Sequence, residues 1–154
     1  MKRVIVLLAA FFAAQSGLVF AADRPGGLGL GVVVGDPTGF TGKYWMTPVH
    51  ALDFGIGGDE GDFQLYGDYL WHGWRAFPQP SRGQLAAYLG LGAGVQTAHD
   101  TILNLRTVAG VSYWFDTYPV EVFFELVPTF RITPDSGGEL NAGLGLRYYF
   151  KAFN

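Results

Sequence analysis

A chain of 154 residues, 49% hydrophobic and 15% charged, can bury a core within one domain, which excludes a disordered polymer. The net charge of -3 and the lack of a basic stripe argue against a phosphate-binding surface, and so against nucleic acid as a partner. Without cysteine there are no disulfides and no thiolate metal sites.

In chain order, Lys2 and Arg3 precede an apolar run over residues 4–14, and Val19-Phe20-Ala21 places small residues where a signal peptidase reads. This predicts a secretory signal peptide over residues 1–21 and a mature domain over 22–154. A retained membrane helix is disfavoured because Gln15, Ser16 and Gly17 interrupt the stretch. Beyond Ala22 no run of 18 apolar residues occurs, so the mature chain either stays soluble or crosses a membrane as strands.

Turn signals then divide the chain, and strands are predicted at 26–35, 38–47, 50–57, 62–72, 83–96, 102–115, 119–131 and 138–150. The punctuation is Gly35-Asp36-Pro37, Thr47-Pro48, an acidic turn over 58–62, a longer proline-containing connection over 73–82, and polar turns at 96–101, 116–119 and 134–138. Helical periodicity is absent. Long strands with mostly short connections predict an all-β fold, an eight-stranded antiparallel up-and-down barrel, rather than any βαβ arrangement.

Alternation assigns a direction to each face. One register puts 33 large side chains on one side, from Leu28, Leu30, Val32 and Val34 in the first strand to Leu140, Leu144, Leu146, Tyr148 and Phe150 in the last. A tightly closed eight-stranded barrel holds about twelve inward side chains, so this face must point outward. The other face carries glycines together with Lys43, Asp53, Asp68, Arg106, Glu121, Glu125, Glu139 and Arg147. These are expected to form an interior charge network, with Trp45, Tyr66, Tyr88, Trp114, Phe123 and Tyr149 filling much of the remaining lumen. An outward apolar band implies lipid, where only a closed barrel satisfies every strand's backbone hydrogen bonds.

Aromatic placement is a separate signal. Tyr44, Tyr69, Trp71, Tyr113, Phe115, Tyr148 and Phe150 lie outward at the ends of the even strands, hence on one rim, as an interfacial aromatic girdle would. Phe40, Phe54, Phe63 and Phe130 fall toward the opposite ends.

Gly35-Asp36-Pro37-Thr38-Gly39 followed by Lys43-Tyr44-Trp45, then Asp68-Tyr69-Leu70-Trp71-His72, and finally residues 143–150 resemble small eight-stranded bacterial outer-membrane β-barrels, specifically an uncharacterised family known from spirochaetes and other bacteria. The resemblance covers essentially the whole mature chain. It implies an outer-membrane location after export, a monomer, contact with lipid and lipopolysaccharide, and insertion by the barrel-assembly machinery, whose C-terminal signal residues 145–150 resemble. Residues 151–154 follow the aromatic residue that would ordinarily end such a signal. The resemblance carries no general biochemical activity.

The expected function is therefore a structural or surface-interaction role, with no cofactor, no metal site and no catalytic residue. Alternatives are a soluble lipocalin-like ligand-binding barrel, a lipid A-modifying enzyme and a narrow pore. The three histidines, His50, His72 and His99, do not sit with a serine and a carboxylate in a catalytic spacing, and His72 beside Trp71 is expected at the membrane interface. Asp59, Glu60 and Asp62 lack the spacing of a recognised calcium loop and are expected to be solvated. Gly29-x-Gly31 is not a dinucleotide fingerprint, because Val34 stands where the third glycine belongs and no helix follows.

Overall fold

The computed structural model describes residues 27–58 and 60–150; the expected signal peptide, residues 22–26 at the start of the expected mature domain, Asp59 and residues 151–154 lie outside the described residues. Eight strands follow one another: β1 (Leu28–Gly35), β2 (Gly39–Trp45), β3 (His50–Gly57), β4 (Phe63–Gly73), β5 (Gln84–Thr97), β6 (Thr101–Trp114), β7 (Val120–Thr133) and β8 (Gly137–Tyr149). Each pairs antiparallel with its successor, and β8 returns to pair with β1, so the sheet closes as an up-and-down barrel. Every strand end falls within two residues of the sequence-based expectation.

Alternation maps onto the barrel as period two requires. All of the 33 large residues assigned outward are at least partly exposed, Leu91 at 58% and Leu140 at 68% among them. Lys43, Glu121 and Arg147 are fully buried.

A recurring cross-strand pairing makes this interior possible. Gly55 lies opposite Tyr66, Gly110 opposite Tyr88, Gly145 opposite Phe123 and Gly29 opposite Tyr149. In each pair the ring lies over the glycine so closely that a Cβ there would overlap it. The glycine on one strand thus makes room for the ring on the next, and cross-strand partners of this kind pin the register. The same device appears once outside, where the Phe54 ring covers Gly42.

Two local irregularities have identifiable causes. The β6–β7 register shifts between Leu103 and Asn104, a bulge of the sort that strengthens local twist near a barrel rim. Pro128, deep within β7, has no N–H to give the ladder. The Thr107 hydroxyl of β6 donates to the Pro128 carbonyl at 3.1 Å, which restores a bond between the strands at that point.

Gly110→Val should destabilise the folded barrel by about 1–3 kcal/mol because it drives a side chain into the Tyr88 ring. At Gly137 an added Cβ meets nothing within 4 Å, so Gly137→Ala should change stability by less than about 0.5 kcal/mol. Denaturant unfolding of the two variants checks this, and equal midpoints would contradict the packing described.

Candidate functional site

The interior concentrates the buried polar chemistry of the described residues, and it is layered along the barrel axis. At the rim where β1 begins and β8 ends, it is closed by aromatic rings. Trp45 lies 4.3 Å from His72, 6.0 Å from Trp74 and 5.8 Å from Trp114, centroid to centroid, and Trp114 lies 4.7 Å from Tyr149. Trp74 is the first residue after β4 and continues that strand's inward parity. Its indole N–H donates to the Pro48 carbonyl at 2.9 Å.

The long connection over residues 74–83 is therefore part of the closure. The Gln79 amide donates to the carbonyls of Trp74 at 2.7 Å and Leu85 at 2.9 Å, and its oxygen accepts from the Leu85 N–H at 2.9 Å. The Tyr113 hydroxyl donates to the Arg82 carbonyl at 3.1 Å, and the Gly83 N–H donates to Asp116 at 2.7 Å. One glutamine thus ties both ends of the excursion, holding Trp74 over the mouth.

Beyond the rings lies the charge network. Lys43 of β2 reaches across the lumen to Glu121 of β7 at 2.8 Å, and Arg147 of β8 joins Glu121 at 3.3 Å to Asp53 of β3 at 2.8 Å. The Thr41 hydroxyl accepts from the Arg147 guanidinium at 2.7 Å and donates to Asp53 at 3.3 Å, while the Tyr149 hydroxyl donates to Glu121 at 2.6 Å. Farther along, Arg106 pairs with Asp68 at 3.0 Å and stacks over Tyr66 at 4.0 Å, and the Tyr88 hydroxyl donates to Glu125 at 2.9 Å. The aromatic rings also solvate cations: Arg147 sits 3.8 Å from the Phe123 centroid and Lys43 4.9 Å from that of Trp45. Such contacts matter here because each charge taken from water costs several kcal/mol unless partners replace the lost hydration. Leu70, Tyr88, Val108 and Val127 form a small apolar cluster beside this network.

Of the eight residues expected in the network, Lys43, Asp53, Asp68, Arg106, Glu121, Glu125 and Arg147 are buried together inside the barrel. Glu139 corrects the expectation. It has inward parity, but it lies on the part of β8 that extends past β1, and its side chain is 58% exposed and pairs with Arg131 at 3.1 Å. His72 is a second correction: it is 2% exposed within the aromatic closure, not at an outer interface. The sequence reading missed Thr41 and Trp74. Trp74's signal was its place two residues past His72 on the same parity.

The seven residues expected in the aromatic girdle all face outward. Tyr44, Phe115, Tyr148 and Phe150 are exposed, whereas Tyr69, Trp71 and Tyr113 are half-buried. Neighbours two residues apart touch: Tyr69 with Trp71 at 4.7 Å, Tyr113 with Phe115 at 5.0 Å and Tyr148 with Phe150 at 5.3 Å.

The opposite mouth is open. A polar pocket of about 210 Å³ is lined by Gln96, Ile102, Asn104, Thr129, Arg131 and residues 137–139. Among the described residues no group of three or more His, Cys, Asp or Glu side chains is placed to hold a metal ion. His50 faces outward with its ring tilted against that of Tyr69 at 5.7 Å, and His99 is exposed, so neither adjoins the buried carboxylates. The Ser112 hydroxyl accepts from the Trp114 indole at 3.2 Å. Comparison of the chain with protein-family models, curated proteins and solved structures finds no match in any of the three.

Glu121→Ala removes the shared acceptor of Lys43, Arg147 and Tyr149 and should cost about 3–5 kcal/mol, because two cations remain buried without it. Glu139→Ala, at the half-exposed pair, should cost less than about 1 kcal/mol. Unfolding free energies of the two variants test the contrast, and a Glu121→Ala cost below that of Glu139→Ala would refute the network.

Proposed function

We propose that this chain is exported and spans the outer membrane of a Gram-negative-type cell as an eight-stranded barrel, with a structural or surface-interaction role and a plugged polar interior. The observation that carries this reading is the inverted distribution of polarity. Leu91, Leu105, Leu144 and Phe130 lie more than half exposed on the outer face, while Lys43, Glu121 and Arg147 are at 0% inside. A barrel in water would gain by the reverse arrangement, since burial of apolar surface is what drives folding there. In hydrocarbon the same band is favourable, and closure leaves no strand edge unpaired within it.

Three further features support the reading. Paired outward aromatics ring the rim where β1 begins and β8 ends, as interfacial girdles do. Bacterial barrels place their chain ends on the periplasmic side, which would set the aromatic closure and Trp74 there and the open pocket outside. The signal-peptide pattern of residues 1–21 and the resemblance to small outer-membrane barrels fit the same location. A lipocalin-type function would call for a ligand cavity at the centre of the barrel, where charged pairs and rings stand instead. Continuous conduction would call for a path past Trp45, Trp74 and Trp114.

Leu105→Arg, on the outer face at 52% exposure, should lower folding stability in lipid bilayers by about 2–4 kcal/mol, while Asp100→Ala in the exposed β5–β6 turn should change it by less than about 0.5 kcal/mol. The folded protein should also migrate differently in SDS before and after boiling. Recovery as a soluble periplasmic protein without detergent would overturn the proposal.

A further inference from the structure

We infer that the free edge of β8 at the open rim receives an extended, basic peptide segment as an added strand. The register sets the geometry. β1 pairs with β8 only from Gly143 to Tyr149, and the last contact toward the rim is the Asp36 N–H donating to the Ala142 carbonyl at 3.1 Å. β7 continues to pair with β8 down to Gly137. Residues 137–141 are thus a strand held on one side and, among the described residues, unpaired on the other.

The bonds at the closed end identify which groups are free. The Phe150 N–H donates to the Leu28 carbonyl of β1, and the Tyr149 N–H donates to the Pro119 carbonyl on the β7 side. Even-numbered residues of β8 therefore turn their backbone toward β1, and at the free edge Gly138 and Leu140 present their N–H and C=O groups. An unpaired edge of this kind is a template for another strand.

Two observations point to an occupant. At both Gly137 and Gly138 an added Cβ would meet nothing within 4 Å, so packing does not require glycine at either place. Gly137 and Gly138 are the first two residues of β8, and without side chains they leave its backbone open to the approach of another strand. Secondly, the polar pocket of about 210 Å³ lies against this same edge, since Gly137, Gly138 and Glu139 line it together with Arg131 and Asn104.

Charge decides between possible strands. The turns of the open rim carry Asp36, Glu60, Asp62, Asp100 and Asp135, and Glu139 stands beside them, against the single cation Arg131 among the described residues there. Such a rim attracts basic segments. A second copy of this chain, pairing antiparallel along the same edge, would set Glu139 beside Glu139, a like-charge cross-strand neighbour that disfavours it.

The inference deepens the proposed surface role and rests on it for exposure of this rim to the outside. Its test uses the folded full-length barrel in detergent, with SDS mobility confirming the fold separately, so failure of binding and failure of the membrane reading are distinguishable. The probes are a seven-residue peptide alternating lysine and valine, the same peptide N-methylated at alternate amides, and a glutamate-for-lysine version. The lysine peptide should bind and protect the Gly138 and Leu140 amides from hydrogen exchange, and both control peptides should bind at least about tenfold more weakly. Gly138→Pro removes one free-edge donor at a position an edge strand tolerates, and it should abolish binding while leaving SDS mobility unchanged. Glu139→Gln should weaken the lysine peptide several-fold. Equal binding of the lysine and N-methylated peptides, or no binding by a barrel of unchanged SDS mobility, would overturn the inference.

Discussion

Closure of the sheet by the β1–β8 ladder is the constraint from which the other properties follow. Once eight strands meet, the lumen accepts roughly a dozen large side chains and no more. A chain with nearly three times that number of large alternating residues has to turn them out, and must then supply small or paired groups inside. The glycine–aromatic pairs are the steric answer: Gly55, Gly110, Gly145 and Gly29 each give their neighbour's ring the volume of a missing side chain. The ion pairs are the electrostatic answer, because a charge in so narrow a space has no water to fall back on.

The interior is organised as a graded column. Rings carried by β2, β4, β6 and β8, together with Trp74 from the long connection, close one end. Three cations and four carboxylates occupy the middle, with Glu121 and Arg147 linking four strands through their partners. Glu125 is bonded by a neutral phenol rather than a cation. The far end is polar and open. The column ties strands distant in sequence, such as β2 to β7, which adds cross-lumen restraint to a sheet otherwise held only by nearest neighbours.

Strand positions and facing were legible from sequence because both depend on local period-two patterning. Seven buried charges followed from parity alone. Glu139 did not, because parity gives a residue's face and not its height along the barrel, and β8 rises above the end of β1. The neighbour Trp71 points to an interfacial place for His72, although its parity with Tyr66 and Asp68 turns it inward, where it is buried. Which charges pair across the lumen was not legible at all. Lys43 meets Glu121, 78 residues away, because of barrel stagger, which no local signal encodes.

The proposal's central claim is that the outer face meets lipid while the buried charge network meets neither lipid nor bulk water. The natural absence of cysteine makes this directly measurable, since single cysteines can be placed in turn along β5 and β6 and carry a nitroxide label. In reconstituted bilayers, labels at Leu89, Leu91, Leu103 and Leu105 should be accessible to oxygen dissolved in the hydrocarbon and shielded from a water-soluble paramagnetic reagent, with the oxygen signal alternating at every second residue. Ready access of the aqueous reagent to those four positions would contradict the account.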